Sequence, residues 1–249
     1  MAHVLVTGSA GAVGQTVSRE LVRRGHRVRG LDLLPTVGLD DVVVADIAEP
    51  EAVRGAARGV DAIVHLAAHR DDAPFATLLG PNVVGLYNVM NAAREERVGR
   101  VVLASTLQIV WHRVGPDRDR PARVDEACPR NHYALTKLWA EQMGEMYARC
   151  YDMSVVAVRL TWMVRDPDGA RRMRELGRSD LYVSQRDTGR AFANAVEAPD
   201  ISFAVVYVGG PDSAALYDLE PARRLIGFEP RDRFPEGIGF DLPSETNDG

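Results

Sequence analysis

Lysine is nearly missing from this chain: of thirty basic residues among 249, twenty-nine are arginine and Lys137 stands alone. Cysteine is scarce as well. Cys128 and Cys150 are isolated, without C-x-x-C spacing, which implies two reduced thiols and neither a disulfide nor a cysteine metal site. No run of eighteen apolar residues occurs, so no membrane span is expected. Met1 leads directly into a strand-like segment, with no secretory signal, and the expected location is cytoplasmic. The net charge of −5 is spread over both signs without a basic stripe, so nucleic acid is not an expected partner. The six histidines give no metal pattern: His65 and His69 are four apart but straddle a strand end, and no third ligand accompanies them. No metal is expected. What remains is a soluble globular chain, 46% apolar and 26% charged, long enough for one well-buried α/β domain.

The order of elements is more telling than the composition. Short apolar runs at 3–8, 26–32, 42–47, 62–68, 100–106, 154–160 and 203–210 read as strands. Helical patterns near 13–24, 49–58, 80–97, 132–151 and 187–197 lie between them. Strands that are apolar nearly throughout and alternate with helices predict a parallel sheet covered on both faces. The fold class is therefore α/β: a Rossmann-type, doubly wound parallel sheet with a small C-terminal lobe. Residues 1–160 with about 187–210 form its core. The polar, turn-rich stretch 161–186 and the Pro/Gly-rich 211–249, with a short helix near 218–226, are assigned to the lobe that holds substrate.

Between the first strand and first helix, "VTGSAGAVG" spaces Gly8, Gly11 and Gly14 as G-x-x-G-x-x-G. The chain must turn sharply there, admit a pyrophosphate to the backbone and pack the helix closely on the sheet. Ala12 and Val13 share the turn, and the helix-start N–H groups suit phosphate charge. Asp32 closes the second strand eighteen residues beyond Gly14, where a carboxylate accepts both adenosine ribose hydroxyls. No basic residue follows it in "LDLLP", which favours NAD over NADP. Asp46, ending the third strand, can reach the adenine edge.

Tyr133 and Lys137 are i and i+4 on a predicted helix and share a face. A phenol near pKa 10 is a poor base at neutral pH, and an adjacent ammonium stabilises its phenolate. The same ammonium can donate to the nicotinamide ribose, a task for which a planar guanidinium is the wrong shape. In a chain with one lysine, its retention here is informative. Thr106 supplies a hydroxyl at a strand C-terminus, where open α/β sheets hold ligands, with Ser105 as the competing candidate.

Taken together, "TGSAGAVG", Asp46-Ile47, "HLAA" with Leu66, Ala67 and Ala68, "NVVGLYNVMNAA", "AST" and "YALTK" resemble the extended short-chain dehydrogenase/reductases, the NAD-dependent epimerase/dehydratase family, over about residues 3–210. "APFATLLGPNVVGLYNVMNAARE", "EMYARCYDMSVVAVRL", "LIGFEPRD" and the short C-terminal lobe resemble the uronate dehydrogenases, which oxidise the C1 lactol of a hexuronic acid with NAD. The resemblance implies Tyr133 as general base, Lys137 as its electrostatic partner and ribose ligand, and Thr106 as the substrate-polarising hydroxyl. It also implies Asn82 near the active site and a homodimer paired through the helices at 80–97 and 132–151.

The substrate positions depart from that pattern. Leu107 and Gln108 replace "NH" after the Ser105-Thr106 pair, Trp162 stands where a small polar residue is usual, and Arg70 replaces a small serine. Arg172, in "GARRMRE", can pair with a substrate carboxylate. The expected pocket is bulkier and less polar than one for a sugar acid. The reading is an NAD-dependent oxidoreductase for a small polar molecule. Its alternatives are an epimerase/dehydratase or ketoreductase and, from another class, a non-catalytic NAD-binding regulator.

Overall fold

The structure, a computed structural model, describes residues 1–114 and 120–240. The end of the proposed lobe, 241–249, lies outside the described residues. Among them run β1 (His3–Thr7), α1 (Ala12–Arg23), β2 (Arg27–Asp32), β3 (Asp41–Val44), α2 (Pro50–Ala57) and β4 (Ala62–His65). There follow α3 (Phe75–Leu78), a π-helical turn (Leu79–Val84), α4 (Gly85–Glu95), β5 (Arg100–Thr106) and α5 (His132–Tyr151). The remainder comprises β6 (Ser154–Leu160), β7 (Trp162–Met163), α6 (Pro167–Glu175), β8 (Tyr182–Val183), α7 (Gln185–Glu197), β9 (Phe203–Val208) and α8 (Glu220–Ile226).

Seven strands form one parallel sheet in the order β3-β2-β1-β4-β5-β6-β9. Val4, Val6, Val64, Val102, Val156 and Val158 point to one face, with Val17, Leu21 and Phe192 of α1 and α7 packed against them. Leu5, Ile63, Val101, Leu103 and Val155 point to the other, against Val53, Val89, Met90 and Tyr147 of α2, α4 and α5. Because β1 pairs with both β2 and β4, the chain leaves β1 in one direction and returns to build the sheet in the other. The crevice at that reversal, beyond the strands' C-terminal ends, is where an open α/β sheet takes its ligand.

Three segments differ from the sequence reading. The polar stretch after β6 contains α6, begun by Asp166, whose carboxylate accepts the Gly169 N–H, and by Pro167 at the first helical position. Trp162–Met163 pairs in parallel with Tyr182–Val183 as a two-stranded sheet of its own. Val164, Ala170, Met173, Tyr182 and Ile238 close a small separate core beneath them. The helix expected from about residue 80 begins at Phe75 and widens into the π-turn, where Pro81 cannot supply an α-helical N–H. Ala222 and Ile226 of α8, a segment assigned to the lobe, join the main core on the face of β9.

Candidate active site

The glycine turn is dictated by contact. Gly8 has φ +70°, and a Cβ there would lie 2.7 Å from the Ala67 backbone nitrogen; one on Gly14 would lie 2.1 Å from the Gly8 carbonyl oxygen. Neither position admits a side chain. Helix α1 begins at Gly11 with no capping side chain and no acid in its first turn. The starts of α5, α6 and α7, by contrast, are capped by Asn131, Asp166 and Ser184. The leading N–H groups of α1 are thus left for an anion.

A cavity of about 430 Å³ opens over this turn, lined by Gly8, Gly11, Ala12, Val13, Gly14, Asp32, Asp46, Ile47, Leu66, Ala67 and Ala68, with Arg70 and Arg165 at its far end. Asp32 accepts the N–H groups of Ala10 at 3.0 Å and Leu34 at 3.1 Å, one on each carboxylate oxygen. A carboxylate has about four acceptor sites, so room remains for a ribose diol. Asp46 accepts the Ala48 N–H at 2.8 Å and is held at the end of β3. A narrow glycine cradle, an uncapped helix start and an oriented acid fit a dinucleotide.

Asn82 sits differently from its neighbours. It is buried under the cavity, and its amide is used within the chain: Oδ1 accepts the His69 N–H at 2.7 Å, while Nδ2 donates to the His69 carbonyl and the Thr136 hydroxyl, both at 3.0 Å. It ties the loop after β4 to α5, one residue from Lys137.

A second cavity, about 570 Å³, continues from the first and shares Val13, Leu66, Ala68, Arg70 and Arg165 with it. Tyr133, Lys137 and Thr106 meet on its wall. Helix α5 carries the first two; Asn131 caps it through the Ala134 N–H at 2.7 Å, and Asp72 accepts the His132 N–H at 3.1 Å. Thr106 ends β5. Its oxygen accepts the Gln108 N–H at 3.2 Å, which leaves the hydroxyl proton for the cavity side, where the hydroxyl opposes the rise in the Tyr133 pKa. Ser105 faces the other way: its hydroxyl donates to buried Glu141, which also holds Arg159 at 2.7 Å. That geometry separates the two hydroxyl candidates. Thr106 addresses the phenol and Ser105 the core.

The electrostatics differ from the sequence expectation. Burial pushes the Tyr133 phenol up to about 12, and the charge opposing it most is Arg165, followed by the Thr106 hydroxyl. Lys137 is 6% exposed, and burial brings it down to about 8. Its Nζ donates to the Ala104 carbonyl at 3.0 Å and lies 5.9 Å from the Tyr133 ring centroid. Beneath it, burial and then the Lys137 charge lower His65 to about 3. The Thr7 hydroxyl accepts the Leu66 and Ala67 N–H groups and reaches His65 Nδ1 at 2.8 Å, so its proton points to Nδ1 and the ring is neutral.

Leu107, Gln108, Trp162 and Arg172 all line the second cavity. Arg70 and Arg172 are joined there by Arg165 and Lys137, against the carboxylates of Asp71 and Asp166, so the wall is more charged, with cations in excess, than Leu107 and Trp162 suggested. Arg165, Trp111 and Asp72 were not singled out in the sequence. Arg165 had a signal, since it follows the strand end that faces the cavity; Asp72 lies in a loop and Trp111 opens a short 3-10 turn, whose paths no local pattern fixes. Among the described residues no group of three His, Cys, Asp or Glu side chains could hold a metal ion, and no helix is long and apolar enough to cross a membrane.

Residues 4–172 match the model of the NAD dependent epimerase/dehydratase family. The chain is 29% identical over 237 residues to a uronate dehydrogenase of Pseudomonas syringae pv. tomato, covering 92% of this chain and 82% of that one. It is 31% identical over 250 residues to an L-arabinose 1-dehydrogenase (NAD(P)(+)) of Haloferax volcanii, covering 93% and 97%. A mutant of uronate dehydrogenase from Agrobacterium tumefaciens, complexed with NAD, superposes with a TM-score of 0.80 at 26% identity, over 99% of this chain and 92% of that one. The chain thus belongs to the NAD-dependent epimerase/dehydratase family and is an NAD-dependent oxidoreductase acting on CH–OH groups.

Proposed function

We propose that this enzyme oxidises the C1 hydroxyl of a small anionic sugar, with the lactol of a hexuronic acid, converted to its lactone, as the leading substrate. The observation that supports this most is the meeting of Tyr133, Thr106 and Lys137 on a cavity wall that also carries guanidinium groups, Arg172 among them. NAD, when bound, accepts the hydride. Tyr133 takes the proton of the substrate hydroxyl, and Thr106 donates to the reacting oxygen. Lys137 spends one of its three N–H groups on Ala104 and has two left for a ribose hydroxyl. Arg172 pairs with the substrate carboxylate. Base assistance of this kind is worth about 10²–10⁴-fold. Relatives that include uronate dehydrogenases and an L-arabinose 1-dehydrogenase support oxidation at a sugar C1.

The test is NADH formation from D-glucuronate, D-galacturonate, neutral sugars and secondary alcohols, with Tyr133→Phe as control. Net NADH from a free uronate, lost in the variant while NAD binding persists, is the expected result. Wild-type turnover in Tyr133→Phe would overturn the assignment of the base. Absence of NADH with every compound, despite tight NAD binding, would favour a non-catalytic role.

The chain also reads as a cytoplasmic homodimer. Support for pairing comes from exposed Leu79, Val84, Tyr87 and Trp139, with Phe75 packed edge-on to Trp139 at 6.1 Å between centroids. Val89, on the same helix as Tyr87, is fully buried in the core. Sedimentation as a monomer would overturn the pairing. Two free cysteines are in keeping with a reducing compartment.

A further inference from the structure

The first cavity has a charge pattern that the glycine turn does not explain. Its wall carries four charged side chains. Asp32 and Asp46 stand at one end, and Arg70 and Arg165 stand where it opens into the second cavity. A dinucleotide has the matching polarity: neutral, diol-bearing adenosine at one end, and two phosphate charges between that end and the nicotinamide. The N–H groups at the start of α1 address those charges from one side only.

The two arginines come from separate segments, Arg70 from the loop after β4 and Arg165 from between β7 and α6. Both residues are exposed overall, and the Arg165 side chain also lines the walls of the two cavities. Arg165 has no hydrogen-bond or ion-pair partner among the described residues. Burial, and then the nearby charge of Arg70, lower its pKa. Arg70 holds only Asp71, at 3.4 Å, in a pair of two exposed groups. Such a pair contributes little and is readily exchanged for a phosphate. Two guanidiniums brought close together, with only the exposed carboxylates of Asp71 and Asp166 acting on Arg165, favour an anion that joins them. Arg172, in contrast, lines only the second cavity and is left for substrate.

We infer that Arg70 and Arg165 clasp the pyrophosphate of the dinucleotide from the side opposite the start of α1. Arg165 lies two residues before Pro167, the first residue of α6. The clasp therefore ties the helix bearing Arg172 to the occupied cofactor, and substrate binds best after NAD.

Calorimetric titration tests this in the free enzyme, with NAD, ADP-ribose and adenosine, for wild type, Arg165→Met, Arg70→Met and the double variant, at low and high salt. ADP-ribose keeps the pyrophosphate and lacks nicotinamide; adenosine lacks both. Each single change is expected to weaken NAD and ADP-ribose about tenfold and leave adenosine unchanged. The double variant should also show a weaker salt dependence than wild type. Arg165→Lys, which keeps the charge, should recover part of the loss; circular dichroism checks that the variants fold. Unchanged NAD and ADP-ribose affinity in Arg165→Met overturns the clasp. If substrate KM rises there instead, the arginines serve the substrate anion, which also overturns it. Failure of the wild type to bind NAD would be a different result, against the cofactor itself.

Discussion

The side-chain amide of Asn131 donates to the Gln108 carbonyl oxygen, 3.0 Å away, and so decides which end of Gln108 faces the substrate cavity. The chain of causes starts at a helix end. Helix α5 needs an acceptor for its leading N–H groups, and Asn131 Oδ1 supplies it to Ala134 at 2.7 Å. Its NH₂ must then point to Gln108, whose oxygen is occupied and whose Nε2 donor is left for the cavity. Together with Arg70, Arg165 and Arg172, that makes the wall rich in donors, as an anionic substrate requires.

Asn131→Asp separates the cap from this orientation. Aspartate caps as well as asparagine does, but its carboxylate draws the Gln108 NH₂ and turns Oε1 towards substrate. The thermal midpoint is expected to stay near wild type while KM for the anionic sugar rises about tenfold, the effect of one reversed hydrogen bond to a charged group. Asn131→Ala, in contrast, is expected to lose about 1 kcal/mol of stability. A KM in Asn131→Asp equal to wild type would show that Gln108 does not touch the substrate.

Lys137→Arg is the sharpest test of the lone lysine. The ammonium sits in a buried site, donating to Ala104, and its low pKa reflects a compact charge held without a counterion at hand. A guanidinium is larger, planar and cannot shed its proton there. Expected are a loss of kcat/KM of about 100-fold or more and weaker NAD binding, read by steady-state kinetics and cofactor titration. Near-normal kinetics would mean that position 137 needs only positive charge.

Much of this site was legible because its demands are local. Gly8 and Gly14 have no room for a Cβ, Asp32 ends a strand after a fixed interval, and Tyr133 and Lys137 share a helical face by periodicity alone. The order of strands and helices likewise carried the parallel sheet. What sequence could not carry depends on contacts between distant segments. Strand alternation sends Ser105 and Thr106, adjacent at the end of β5, to opposite faces, but nothing local says that Ser105 takes the Glu141 side and Thr106 the Tyr133 side. Helix α6 was hidden because its exposed face is almost wholly charged, and only Ala170 and Met173 are buried. Its signals were the Asp166-Pro167 start and the spacing of those two apolar residues.

Behind the site, Glu141 of α5 is the acceptor on which β5 and β6 converge. Arg159 of β6 forks onto both its oxygens at 2.8 and 2.7 Å, and Ser105 of β5 donates to it. Arg159 and Glu141 are 1% and 4% exposed. Glu141→Leu leaves a buried guanidinium uncompensated and is expected to cost about 3–5 kcal/mol in urea unfolding. The double variant Glu141→Leu, Arg159→Met removes both charges and should recover part of that loss, because the desolvation cost disappears with the pair. If the double variant were less stable than the sum of the singles, the pair would not be the source of the effect.

His65 gives the acid limb of stability a specific origin. Burial and then the Lys137 charge hold its folded pKa near 3, whereas an unfolded histidine titrates near the ordinary 6.5. Between those values the unfolded chain binds a proton that the folded chain refuses, so stability rises with pH across this window and falls as pH drops through it. Above about 6.5 both states are neutral and the term is constant. One refused proton corresponds to a slope of about 1.4 kcal/mol per pH unit inside the window. Carboxylates titrate in the same range, so the measurement is a difference: urea midpoints of wild type and His65→Asn, converted to free energy from pH 4 to 7. The variant is expected to have a shallower slope by about one proton, whatever its absolute stability. Equal slopes would mean that His65 accepts a proton in the folded chain, which the Thr7 hydroxyl bond and the Lys137 charge oppose.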